Sequence, residues 1–299
     1  MSSCSINTRS SGTVGGANIT SITVTCASTG CGRFSSGATG SWTTVATPPT
    51  TYGLSGYLPA GGATTIYVGD STALDDYLTA SNSYTAIATP PVGFPSYWSA
   101  AWFGNALWGI TSGDVIRYDI PTNTWTTPTS GLTTKSNNQT TNDDAGNLWS
   151  YQSEAVLLEY NIALGTTTTH TLTTALTGSE PRIVYDSCSG LLYLTDYYTL
   201  PLYSYNPGTG TQTTLSSLPV SNYFMDGFCD DRSGHIYAVT DVSGGPMYQY
   251  TIATSTWVAM PSGGPSGGYN SSCGIGADGY LYATDPGVSS GALFRIQLN

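Results

Sequence analysis

Few side chains in this sequence could move a proton. His170 lies in the threonine run TTTTHTL and His235 in DRSGHIY. Neither falls near the aromatic segments described below, so neither reads as a general base. Glu154 and Glu180 are better placed, near long connections. Either one, paired with an aspartate, would make the two-carboxylate arrangement of a glycoside hydrolase. Nothing in the sequence brings such a pair together, and the expectation is a protein without catalytic residues. Four aspartates, Asp70, Asp196, Asp241 and Asp285, each follow a short apolar run. Together they could form a carboxylate ring for an oxygen-seeking cation such as Ca²⁺. The plainer reading is that each caps the turn after its own strand. The expectation is no metal and no cofactor: GTVGG lacks the strand-to-helix setting of a phosphate loop. The six cysteines suit no zinc spacing. Cys26 and Cys31 could close a small loop as a disulfide, whereas Cys188, Cys229 and Cys273 read as small buried thiols.

Composition sets the background for these residues. Charged residues make up 8% of the 299-residue chain, against about 25% in ordinary globular proteins. Lys135 is the only lysine. Ser, Thr, Gly and Asn take over as solvent-facing groups, while 22 Tyr and 7 Trp argue against disorder. The net charge of −11 argues against nucleic acid, which needs clustered Lys and Arg. No apolar run is long enough to span a membrane as a helix. The first residues, MSSCSINTRSSGTVGG, lack the apolar core of a signal peptide. The surface nonetheless looks extracellular. A leader outside this numbering, or release by lysis as for a virion, would reconcile the two.

The elements that must position any site repeat. GADGYLYATD has relatives in DRSGHIYAVTD, DSCSGLLYLTD and DDAGNLWSYQ. Aligned on an aliphatic–aromatic pair, the phrase occurs as Ile66-Tyr67, Leu107-Trp108, Leu148-Trp149, Leu192-Tyr193, Ile236-Tyr237 and Leu281-Tyr282, spaced by 41, 41, 44, 44 and 45 residues. Each phrase precedes a second strand–turn–strand unit such as VIRYDIPTNTWTTPT. Four antiparallel strands in such a period make a β-propeller blade. No stretch sustains a helical apolar period. The expected fold is all-β: a six-bladed β-propeller over 40–299. Its last blade would be completed by an N-terminal strand, Trp42 through Pro48, which removes two exposed edges. A seven-bladed ring, using ANITSITVTC and GRFSSG, is the alternative. Residues 1–39 stand apart as a Ser/Thr/Gly-rich arm or small β appendage.

The D-x-x-G-x-[LI]-[YW] turn and strand resemble those of NHL, SMP-30 and virginiamycin-B-lyase-like propellers. The resemblance spans most of the chain, encodes blade geometry, and carries over no catalytic residue. It implies a glycine in the left-handed region and an aspartate capping a tight hairpin.

Strand alternation sorts the connections. A–B and C–D turns share one face and are short and uniform; B–C and D–A connections share the other and are long and varied. Variable loops on a rigid scaffold are where binding usually resides. This second face carries Tyr52, Tyr57, Phe94, Tyr97, Trp98, Tyr197, Tyr198, Tyr223, Phe224 and Tyr269, interleaved with Asn137, Asn138, Gln139, Asn222, Asp226 and Asn270. Flat amphipathic rings beside amides and carboxylates suit a sugar or a protein surface. The expected ligand-binding set is Tyr97, Trp98, Tyr197, Tyr198, Tyr223, Phe224, Asp226, Tyr269 and Asn270. Sequons stand at Asn18, Asn138 and Asn270.

Three functional readings follow. The first is a non-catalytic structural or attachment protein of a phage or virus particle, with the arm on other virion or assembly proteins and the loop face on a surface glycan. The second is a secreted lectin-like propeller. The third is a propeller lyase or glycoside hydrolase.

Overall fold

The structure is a computed structural model. It describes residues 4–6, 24–26, 34, 37–38, 40–46, 60–61, 65–69, 74–89, 100–111, 113–135, 139–178, 180–196, 201–220, 225–240, 246–265, 271–285 and 292–299.

Six four-stranded antiparallel sheets occur among these residues, and no helix. In the fourth, strand A is Pro181–Asp186, B is Leu191–Asp196, C is Tyr203–Asn206 and D is Thr211–Thr214. The A strands of the six are Ala60–Gly61, Ala101–Phe103, Thr141–Asn142, Pro181–Asp186, Met225–Asp230 and Cys273–Ile275. Each touches the A strand of the next sheet, and the last touches the first. The sheets are therefore blades in a ring, with the A strands around the axis and the D strands at the rim. The chain is a six-bladed β-propeller. A seventh blade is not formed. Among the described residues, the extra strands Cys4–Ile6 and Val24–Cys26 pair only with each other, in a two-stranded sheet.

The repeated pair explains the packing. Side chains alternate across a strand, so the two members of each pair face opposite neighbours. Leu192 packs with Trp149 and Tyr151 of blade 3, whereas Tyr193 packs with Phe228 and Ile236 of blade 5. The same division holds in all six blades: the aliphatic residue faces the preceding blade and the aromatic one the following blade. The core is thus six apolar clusters, one per blade interface.

The N-terminal strand closes the ring. Thr43 and Thr44 pair with Arg295 and Phe294 as the D strand of blade 6, and Val45 N donates to Leu293 O at 2.9 Å. The Trp42 indole reaches blade 5, donating to Pro261 O at 3.0 Å. Phe34 joins the cluster between blades 5 and 6, and Ala38 bridges Leu298.

One cysteine expectation is overturned. Cys229 and Cys273 form a disulfide, with their Cα atoms 5.7 Å apart. They hold matching A-strand positions 44 residues apart, one blade period, and so meet where neighbouring A strands converge on the axis. Cys188 is also disulfide-bonded. Cys31 lies outside the described residues, so the Cys26–Cys31 pairing falls there too.

Candidate functional site

The A–B turns are held by their own repeated residues. Asp143 accepts hydrogen bonds from the backbone N–H of Ala145 and Asn147, from Asn147 Nδ2 and from the Trp149 indole, at 2.8–3.1 Å. Asp231 does the same for Ser233 N, His235 N, His235 Nδ1 and the Tyr237 hydroxyl. The turn glycines, Gly146 and Gly234, have φ of 93° and 101°, a region L side chains rarely adopt. The phrase thus encodes a capped turn whose aspartate also grips the aromatic residue. Burial, with the Asp231 carboxylate beside it, drives the Tyr237 phenol well above its ordinary value.

Near the axis on this face, turns from three blades are cross-linked. Arg232 of blade 5 reaches Asp144 and Asn142 of blade 3, the latter at 2.7 Å. Asp186 of blade 4 accepts from Gly234 N at 3.1 Å. Asp230 is pushed up to about 8, chiefly by burial, with Asp186 and Asp231 raising it further against the pull of Arg232.

Farther along the axis stands Gln139. Sequence grouped it with the polar residues of the binding face; the structure buries it. Its amide donates to Phe228 O of blade 5 at 2.7 Å, and its carbonyl accepts from Ile183 N of blade 4 at 3.1 Å. Gln139 satisfies backbone groups that strand pairing leaves over at the centre, a need that its local sequence does not announce.

On the loop face, the acids singled out as hydrolase residues are engaged elsewhere. Glu154 pairs with Lys135, whose hydrogen bond holds its carboxyl below the usual range. Glu180 pairs with the buried Arg182 at 3.2 Å. His170 contacts Glu159 at the rim at 2.8 Å, and His235 contacts Asp231. Asp196 is fully buried and accepts from Gly178 N at 3.1 Å, anchoring the chain that leads into strand A of its blade. A Cβ at Gly178 would lie 2.5 Å from that carboxylate. Asp285 is buried at the end of strand B of blade 6. Among the described residues, no group of three His, Cys, Asp or Glu is arranged to hold a metal ion.

Most of the expected binding set lies outside the described residues: Tyr97, Trp98, Tyr197, Tyr198, Tyr223, Phe224, Tyr269 and Asn270, together with Asp70 and Asp241. The backbone of Asp226 belongs to strand A of blade 5. The scaffold does fix where these segments start. The chain leaves strand B of blade 4 at Asp196, with Tyr197 and Tyr198 next in sequence, and enters strand A of blade 5 at Met225, directly after Tyr223 and Phe224. Both junctions are on the B–C and D–A face.

Comparison with solved structures places the architecture. A structural genomics protein of unknown function from Bacteroides thetaiotaomicron superposes with a TM-score of 0.66 at 13% identity, over 86% of this chain and 76% of that one. A structure from the nidogen/laminin complex gives 0.55 at 13%, covering 68% and 78%. An auxiliary nutrient binding protein from Bacteroides thetaiotaomicron gives 0.59 at 9%, covering 79% and 66%. The fold is shared and the sequence is not. No protein-family model matches the chain, and no curated protein matches it.

Proposed function

We propose that this propeller is a non-catalytic binding module that recognises its ligand, a glycan or a glycan-bearing surface, through the B–C and D–A loop face. The observation that carries this reading is the contrast between the two faces. The A–B side is closed by capped turns and the Arg232 crossing, which serve the scaffold. The segments that connect strands B to C and D to A are long and unlike one another in sequence, and they contain Tyr97, Trp98, Tyr197, Tyr198, Tyr223, Phe224 and Tyr269. The ion pairs of Glu154 and Glu180 also favour binding over hydrolysis. The nutrient-binding title of one structural neighbour agrees with this reading.

Two disulfide-bonded sites in the propeller, Cys229–Cys273 and Cys188, favour an oxidising, extracellular setting. That this setting is a virion, with residues 1–39 as the anchor to other particle proteins, is a narrower proposal. Composition carries it, and detection in purified particles tests it.

The experiment for the binding reading is a glycan array followed by calorimetry on the wild type and on the Tyr97→Ala, Trp98→Ala, Tyr223→Ala triple variant. Loss of about 1–3 kcal/mol per stacked ring is expected. Wild-type binding that the triple variant retains in full would overturn the assignment of the face.

A further inference from the structure

On the opposite face, between blades 6 and 1, Arg295 stands out. Five Lys or Arg residues are described, and four have a carboxylate within ion-pair distance: Arg117 with Asp119, Lys135 with Glu154, Arg182 with Glu180 and Arg232 with Asp144. Among the described residues, Arg295 forms no such pair. This is unexpected in a chain of net charge −11.

Its surroundings form a cradle. Arg295 lies in strand C of blade 6, Ala292–Gln297, directly across from Tyr282 of strand B and Thr43 of strand D. Cross-strand partners share a face of the sheet, and Tyr282 packs in the cluster shared with blade 1. The guanidinium carbon sits 4.7 Å from the centre of the Tyr280 ring. The Tyr282 hydroxyl donates its proton to Asp278 at 2.7 Å. Tyr77 meets Tyr282 edge to face at 5.9 Å, and Tyr84 leans on Tyr77 at 5.0 Å. Arg295 Nε is buried with no hydrogen-bond partner, while the residue as a whole is partly exposed.

A permanently charged group has thus been partly stripped of water without receiving a counter-charge. That desolvation is unfavourable unless an anion restores the lost interactions. The Asp278 carboxylate is bonded to the Tyr282 phenol and forms no ion pair with Arg295. With Nε buried and Tyr280 on one face, the edge between the two terminal nitrogens is the approach that matches a planar oxyanion with two parallel hydrogen bonds.

We propose that Arg295, stacked on Tyr280 and facing Tyr282 across the strands, is an oxyanion-binding site for the carboxylate or sulfate of a small ligand. The site is independent of the loop face, and failure of one leaves the other standing. Asp278, exposed at its rim, weakens binding by repulsion.

The arginine Nε–H signals in a ¹⁵N–¹H spectrum provide the test, the Arg295 signal being assigned by its absence in Arg295→Lys. Sodium galacturonate and sodium sulfate are titrated at constant ionic strength, with galactose and sodium chloride as controls. A saturable shift of the Arg295 signal with galacturonate marks a carboxylate site, and one with sulfate marks a sulfate site. Neither control should produce it. Asp278→Asn should bind the active anion about two- to five-fold more tightly, the range of an exposed charge pair. Tyr280→Leu, which removes the stacking ring, should weaken it. No saturable shift with either anion, an equal shift with chloride, or unchanged affinity in Asp278→Asn would overturn the site.

Discussion

At the residue scale, the aspartates of the A–B turns do the most structural work per atom. Asp143 holds four donors, one of them the indole N–H of Trp149, which is 1% exposed. In Asp143→Ala these donors lose their acceptor, and hydrogen bonds to charged groups are worth about 1.5–3 kcal/mol each net. Partial recovery by water at the turn leaves an expected loss of about 2–4 kcal/mol, read as a lower denaturant midpoint at unchanged slope. Asp230 makes the opposite contribution. Its folded pKa, about 8, lies above the ordinary 3.8, so between these values the folded state holds a proton that the unfolded state has released. Stability from this group is complete below the lower value and is lost as pH rises toward 8. Unfolding free energy should therefore decline between pH 5 and 8. In Asp230→Asn, which cannot ionise, that decline should flatten, as urea titrations across the range would show.

At the element scale, rim tryptophans tie one blade to the preceding one. Trp125 donates to Ala88 O at 2.8 Å and Trp257 to Ser216 O at 2.9 Å; Trp42 does the same beside the closing strand. Trp125 and Trp257 sit on D strands, 5.0 Å from the C-strand tyrosines Tyr118 and Tyr250, and Trp42 directly precedes the closing D strand. Trp125→Phe or Trp257→Phe keeps most of the stacking and removes the indole donor. Each should cost about 1 kcal/mol, the net value of one hydrogen bond, in thermal or denaturant unfolding. The likeness of GSWTTVATPP to NTWTTPT and STWVAMP was visible in sequence because these three segments carry the same tryptophan at or beside a D strand. The carbonyls that receive the indoles were not visible, since they belong to other blades.

At the scale of the whole molecule, stability is distributed among six interfaces, and the Cys229–Cys273 bond joins two neighbouring blades at the axis. The bond closes a loop of one blade period, and removing a native disulfide typically costs about 2–4 kcal/mol. The Cys229→Ser, Cys273→Ser double variant should lose that much unfolding free energy. Both cysteines are buried, at 7% and 6% exposure. A mild reductant should therefore leave the bond intact in the folded wild type, as a thiol count before and after denaturation would register.

Sequence by itself determined the four-stranded blade, its strand order, the closing strand and the role of the D-x-x-G turn. These rest on local rules, the period-two alternation and turn chemistry, which each blade must satisfy alone and so repeats. The tertiary structure decided what happens where blades converge. Gln139 fills the axis, Arg232 spans from blade 5 to blade 3, Asp196 anchors Gly178, and two cysteines that read as thiols form a bond. Among the described residues, Arg295 is left without a carboxylate in the same way. Each of these contacts joins residues from about twenty to ninety positions apart across a ring whose closure brings them together, and a pattern read along the chain holds no distance between them.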